Sequence, residues 1–402
     1  MSSFNKPAAG LVAAAEAALE QAWGLPVHLT DEEALTHNRD VYRFRLAAGS
    51  PHMPTTVVVK AAGASASRPY DVHAPEWPAP AWLLFNEWAG LQFLAQIADA
   101  PRLSPRLYAG DRQGGLVVME DLGTGDSLYT LLVHGDVTVA ERGIIDMATL
   151  LGRLHALTLG REGEFDHVRE GLGPRITDGW YHRYAWLAEG FHRTVATLGI
   201  TAAPGVTAEL HALIRTMQRS GPFRAYTHGD ASPVNFLYRE SGLHLFDLEM
   251  SGYRPALLEG AYFRMHFPLC WSGARLPRAV VARAEASYRL ALTAGSLAAG
   301  NDETFSRALV EACAYWALDH CHFFLLPTLL REDVPMQLVT MRQALLARFD
   351  TMAETAAAFG YLEAIGASIG AMAIQLRKQW GPALGTLPYY PVFQEGLAQP
   401  GA

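Results

Sequence analysis

Residues 225–238 read AYTHGDASPVNFLY. Two short apolar runs flank a polar loop that holds His228, Gly229, Asp230 and, five residues further on, Asn235. Twelve residues after Asn235 the run LHLF ends at Asp247, and Glu249 follows two positions later. Two short strands joined by a tight turn fold back on each other, so this spacing brings the ends near Asn235 and Asp247 together.

A carboxylate beside a side-chain carbonyl makes a pair of hard oxygen ligands. Such a pair suits Mg²⁺, which keeps most of its waters and takes one or two protein carboxylates beside substrate phosphates. Asn235 and Asp247 are the candidate ligands. Asp230, just ahead of them, can accept the proton of an attacking hydroxyl. Phosphoryl transfer needs this arrangement, because its catalysis is mostly positioning, charge neutralisation and exclusion of water. A polar turn capped by an Asx side chain would give the same short motif, so the rest of the chain has to carry the argument.

It supplies further parts in order. TTVVVK (55–60) reads as a β-branched strand ending in Lys60, placed to grip phosphates. AWLLFNEWAGLQFLAQI (81–97) has helical period and offers Glu87 as the partner of that lysine. Glu76 is the rival, but it lies between prolines. GLVVME then DLGTGDS reads as a strand running into a hinge, with the backbones of Glu120 and Leu122 as candidates to bind a nucleotide base. The GTG at 123–125 lacks the Lys-Ser/Thr of a P-loop and reads as hinge punctuation. Asp126 or Ser127 can cap the next helix.

The chain resembles the aminoglycoside phosphotransferase and choline kinase family, small-molecule kinases with a protein-kinase-like fold. The resemblance covers most of residues 27 to about 268 and is anchored by THGDASPVNFLY and LHLFDLEMSGYRPALLEGAYF. It implies Asp230 as catalytic base, Asn235 and Asp247 as Mg²⁺ ligands, and Lys60 with Glu87 as the phosphate-gripping pair. His228 would brace the catalytic loop. ATP would be the usual donor, with GTP used by some members. Two departures stand out. The turn THNRDVYRF has no glycine, so the phosphate-covering loop is not assigned, and PALLEGAYF carries Glu259 where the family usually has Asp.

The expected fold is α+β and bilobal, with a small antiparallel-sheet N-lobe and a large, mostly helical C-lobe. Residues 1–121 form the N-lobe, with an irregular Ala/Ser/Pro-rich insert at 61–80, and residues 122–402 form the C-lobe. Helical patterns cover 8–23, 139–159, 178–198, 206–219 and most of the chain beyond Pro277; VYRFRL (41–46) alternates as a strand does. A length of 402 residues suits two such lobes.

The acceptor side is less legible. Glu249 would point with Asp247 if the strand continued, and reaches either the metal or the acceptor; a surface salt bridge is the plainer reading. Trp316, Asp319 and His320 share a helix face that either lines an acceptor pocket or packs in the core. Trp271 follows the metal strand and could border the acceptor. The formal charge of −8 fits a cationic amino-sugar, aminoglycoside or amino-alcohol, or serves solubility alone. No long basic run suggests nucleic acid, and no stretch reads as a convincing membrane span. Cys270, Cys313 and Cys321 make no disulfide framework, which points to a reducing, cytoplasmic setting. Two alternatives remain open: a nucleotide-binding regulatory protein without catalysis, and a metal-dependent hydrolase built on the histidines.

Overall fold

The computed structural model describes residues 9–36, 41–47, 53–63, 65, 68–74, 77–97, 103–173, 179–219, 221–239, 242–270 and 273–394. They fall into two compact units. The first takes the described residues of Met1–Gly125, Arg161–Asp178 and His244–Gly252. The second takes those of Asp126–Gly160, Gly179–Leu243 and Tyr253–Ala402. The chain therefore returns to the first unit twice after its first pass.

The first unit is built on a five-stranded antiparallel sheet: β1 (Leu29–Ala34), β2 (Val41–Leu46), β3 (Thr56–Ala61), β4 (Leu107–Asp111) and β5 (Leu116–Glu120). Its spatial order is β1-β2-β3-β5-β4. Alternation sorts the side chains. Tyr42, Phe44, Val57, Val59, Leu116 and Val118 form one buried face with Ala15 and Leu19 of the helix Ala9–Trp23. Val58 and Lys60 take the opposite face of β3, so the same periodicity that builds the core sends a lysine inward. Edge strand β1 has the polar sequence LTDEEA and a register shift between Thr30 and Glu33. Polar edges that break register resist pairing with other chains, and they also hide the strand from sequence reading.

The helix Pro80–Ala95 starts on proline, whose missing N–H is no loss at the first turn. It is apolar nearly all round because it is buried, with Leu84, Phe85, Leu91 and Phe93 inside. A further helix, Glu162–Leu172, packs on it within this unit.

The second unit is mostly helical. Its longer helices are Val137–Thr158, Gly179–Leu198, Val206–Arg219, Arg278–Thr293, Asp302–His320, Met341–Phe359 and Glu363–Trp380. Ser127 caps the short helix Leu128–His134 by accepting the Thr130 N–H at 3.0 Å. Asp302–His320 runs on into a π-helical stretch, Cys321–Leu329, that contains Pro327. β6 (Arg224–Thr227) pairs with β9 (Gly252–Pro255), and β7 (Phe236–Arg239) and β8 (Gly242–Leu245) follow the polar loop. No described helix is long and apolar enough to cross a membrane.

Helices Val137–Thr158 and Arg278–Thr293 approach closely at Gly152. A Cβ there would lie 2.5 Å from the Tyr288 carbonyl oxygen and 2.7 Å from Ala291 Cβ. Alanine at an open helical site stabilises by about 1 kcal/mol. Overpacking against a backbone carbonyl costs about 1–3 kcal/mol and outweighs that gain. Gly152→Ala is expected to lower the urea midpoint with an unchanged m-value.

Candidate active site

In the first unit four charged side chains meet. Lys60 Nζ lies 2.9 Å from Glu87 Oε2 and 3.2 Å from Glu249 Oε2, and it donates to Asp247 Oδ1. Lys60 and Glu87 are 8% and 1% exposed, so the pair sits in a low-dielectric setting where charge is expensive unless matched. Burial alone would lower the Lys60 ammonium; attraction to Asp247, Glu87 and Glu249 outweighs it and holds the group above its ordinary value. Burial pushes the Glu87 carboxyl up, with Lys60 opposing the push and Asp247 and Glu249 adding to it.

Local backbone puts these groups in place. β3 delivers Lys60 and the helix Pro80–Ala95 delivers Glu87. The strand does not continue past Asp247. Asp247 is left-handed (φ 68°), and Leu248–Met250 forms a single 3₁₀ turn that brings Glu249 to Lys60. Asn86 secures that turn: its amide donates to the Glu249 carbonyl at 3.2 Å and the Ser251 carbonyl at 2.5 Å. One ammonium among three carboxylates leaves surplus negative charge on hard oxygen donors. That donor chemistry fits a small divalent cation held partly by phosphates. Among the described residues no three His, Cys, Asp or Glu side chains form a ready-made metal cluster.

In the second unit the polar loop is tightly organised. Ser232 Oγ donates to Asp230 Oδ1 at 2.5 Å, and Asn235 Nδ2 donates to the Asp230 carbonyl at 2.8 Å. The Asp230 N–H donates to His228 Nδ1 at 3.3 Å, and His228 is fully buried against Phe236. Asp230 itself remains partly exposed. Gly229 has φ +85°, a conformation that favours glycine. Its N–H donates to Glu259 Oε1 at 2.7 Å, and Glu259 Oε2 lies 3.0 Å from His155 Nε2. A His155 that donates from Nε2 accepts at Nδ1 from the Tyr288 hydroxyl at 2.9 Å. Burial raises the Glu259 carboxyl, but the His155 hydrogen bond, electrostatic attraction to the His155 and His228 rings and the Gly229 N–H together hold it below its usual value.

Other expectations fare differently. Glu120 ends β5; its N–H donates to the Arg106 carbonyl at 2.8 Å. Leu122 is 8% exposed. Between them, Asp121 takes a two-point contact from Arg43, at 2.8 and 3.1 Å, and accepts the Gly123 N–H at 2.8 Å. Trp316, Asp319 and His320 correct the acceptor reading: all three are buried to 1% or less. Trp316 Nε1 donates to the Leu258 carbonyl at 2.8 Å, and Arg183 clasps Asp319 at 3.0 and 2.6 Å. His320 sits on the carbonyls of Trp316 and Pro268. Their shared helix face packs in the core, and their polar atoms are committed there. Trp271 lies outside the described residues, as do residues 37–40 of the turn THNRDVYRF.

Sequence reasoning missed His155, Tyr288 and Arg43, and noted Glu259 only as a departure from the family pattern. The one signal for His155 was a polar residue inside the apolar helical run LLGRLHAL.

The Glu259 carboxylate contributes stability above the unfolded-state value, about 4.3 for an ordinary Glu, and that contribution fades as pH falls through its lower folded value. Glu259→Gln is expected to destabilise by about 2–3 kcal/mol at neutral pH. The deficit against wild type should hold from about pH 6 to 8 and shrink below about pH 4, measured by urea unfolding across pH.

The model of the APH phosphotransferase enzyme family matches residues 72–295, more than half of the chain. No curated protein matches it. Similar solved structures include a macrolide 2'-phosphotransferase from Brachybacterium faecium, at 16% identity and TM-score 0.43, covering 77% of this chain and 91% of that one. A choline kinase from Streptococcus pneumoniae is 13% identical with TM-score 0.39, covering 82% and 94%. A choline kinase from Cryptosporidium parvum Iowa II is 9% identical with TM-score 0.43, covering 89% and 91%. On the family match, this chain belongs to the APH phosphotransferase enzyme family, and its fold is α+β.

Proposed function

We propose that the chain moves the γ-phosphoryl group of ATP, or of GTP, to a hydroxyl of a small molecule, with Mg²⁺ alongside the nucleotide. The observation that carries this reading is Lys60, an ammonium held inside the first unit by Glu87, Asp247 and Glu249. A fixed cation of this kind grips phosphate oxygens without reorganising during the reaction. Asp247 is the metal-binding carboxylate of the first unit, and Glu249 supports it through water or through Lys60. Asn235 is the corresponding group of the second unit. Its amide nitrogen already donates to the Asp230 carbonyl, which leaves Oδ1 as its donor atom for a cation. A bound Mg²⁺ supplies charge neutralisation across the phosphate oxygens.

Asp230 orients the acceptor hydroxyl and takes its proton. The Ser232 hydroxyl fixes the rotamer of that carboxylate, and His228 and Glu259 hold the backbone N–H groups of Asp230 and Gly229. The Glu120 carbonyl and the Leu122 backbone are proposed to meet the nucleotide base, with Asp121 pinned by Arg43 between them. The thiols of Cys270, Cys313 and Cys321 are buried and unbridged, which fits a reducing, cytoplasmic setting.

Two variants test the reading in a screen of ATP and GTP against hydroxyl acceptors. Asp230→Asn is expected to lower kcat by about 10²–10⁴-fold with Mg–nucleotide affinity nearly unchanged. Lys60→Ala is expected to raise the nucleotide KM and lower kcat, with folding checked by thermal melting. Wild-type kinetics in either variant sinks the role assigned to that residue. Nucleotide binding with no turnover of any acceptor favours the non-catalytic alternative.

A further inference from the structure

Asp230 does not stand alone on its side of the second unit. With Ser232 it opens onto a cavity of about 430 Å³. That volume falls in the range of small-molecule sites, about 300–1,000 Å³. Val234, Leu269, Cys270, Pro335 and Met336 give the cavity an apolar wall. Gln337 is the remaining lining residue, and its amide oxygen already accepts the Tyr129 hydroxyl at 2.7 Å. Its NH₂ is therefore what it offers a ligand: a donor to an ether, carbonyl or hydroxyl oxygen. Asp230 is the only carboxylate among these lining residues.

The wall is held in shape before any ligand arrives. Met336 N–H donates to the Val339 carbonyl at 2.8 Å, and Met341 N–H to the Val334 carbonyl at 2.9 Å. A capping box at Thr340 and Gln343 starts the next helix. On the other side, His266 and Phe267 are both left-handed, with φ of 56° and 49°. Such backbone is strained and persists only where its surroundings enforce it. Buried Arg348 enforces it by donating to the carbonyls of Met265, His266 and Phe267 at 3.2–3.4 Å. The segment leading to Leu269 and Cys270 is thus clamped.

From this lining we infer that the phosphoryl acceptor is an alcohol on a largely apolar scaffold carrying at most one positive charge, and not a polycationic amino-sugar. The inference rests on the phosphotransferase reading above. A polycation needs several carboxylates, since each solvent-exposed ion pair contributes little by itself. Among its described lining residues this cavity offers one, and that one is assigned to the reacting hydroxyl. An apolar scaffold gains about 25 cal/mol for each Å² it buries against the wall. Some 100 Å² of it outweighs any single exposed ion pair.

The test measures calorimetric binding in the presence of a non-hydrolysable Mg–nucleotide, and phosphoryl transfer from ATP and GTP. Four probes separate charge from apolar area: 3-phenylpropan-1-ol (neutral), propranolol (one charge, large apolar area), choline (one charge, little apolar area) and gentamicin (polycationic). The two aryl alcohols are expected to bind at least about tenfold tighter than choline or gentamicin at about 0.15 M salt, with little salt dependence. Met336→Glu, checked for folding by melting, is expected to narrow that ratio by about tenfold by adding a second carboxylate to the wall. Gentamicin or choline binding as tightly as the aryl alcohols overturns the inference, and so does the absence of aryl-alcohol binding up to millimolar concentration. The phosphotransferase reading fails separately, if Mg–ATP and Mg–GTP neither bind nor turn over.

Discussion

An ammonium buried among three carboxylates is the interaction on which the first unit depends. Lys60 joins the centre of the sheet to the helix Pro80–Ala95 and to the turn at 247–250, which lies 187 residues further along the chain. Removing one partner of a buried pair costs about 3–5 kcal/mol, because the other charge stays buried and unmatched. Here the imbalance already exists with every partner present. Burial and mutual repulsion raise Glu87, while Lys60 is held charged. Such a cluster is stable enough to fold and still short of positive charge. The left-handed backbone of Asp247 and the 3₁₀ turn after it set both Asp247 and Glu249 on Lys60.

The second unit solves a different problem: holding a polar loop rigid inside a helical core. Glu259 does this with two oxygens, one on the Gly229 N–H and one on His155. Being ionised, it accepts stronger hydrogen bonds than a neutral group would. Tyr288 completes the chain of bonds from the far helix, at the place where Gly152 lets that helix come close. The position of Asp230 is therefore set by packing between two helices as much as by its own loop. Arg348 does comparable work for the cavity wall. Burial lowers its guanidinium to about 10, yet it still donates to a row of backbone carbonyls.

What could be read in the sequence followed from period and from local chemistry. VYRFRL became β2, TTVVVK became β3 shifted by one residue, and Ser127 capped the helix it precedes. β1 escaped because its polar edge sequence has no apolar alternation. The helix Glu162–Leu172, with two glycines and many charges, gave a similarly weak signal. The missed site residues share one cause. His155 meets Glu259 across 104 residues, Arg43 meets Asp121 across 78, and Arg183 meets Asp319 across 136. Periodicity tells which face a side chain takes but not what lies against that face. For Trp316, Asp319 and His320 the shared face was read correctly, and of its two readings, acceptor pocket or core, the structure takes the core.

The same distinction separates the charge of the chain from the chemistry of its cavity. An excess of acidic residues, 40 against 32 basic, suggested a cationic ligand. Net charge acts at a distance and is screened within about 8–10 Å at physiological salt, so it governs encounter more than fit. Fit is decided by the groups that touch the ligand, and around Asp230 those are mainly Val234, Leu269, Pro335 and Met336. Several acidic side chains are committed inside the fold: Glu87 and Asp247 are bound to Lys60, Glu259 to the loop backbone, and Asp319 to Arg183. A formal charge of −8 can therefore coexist with a cavity that selects for apolar surface.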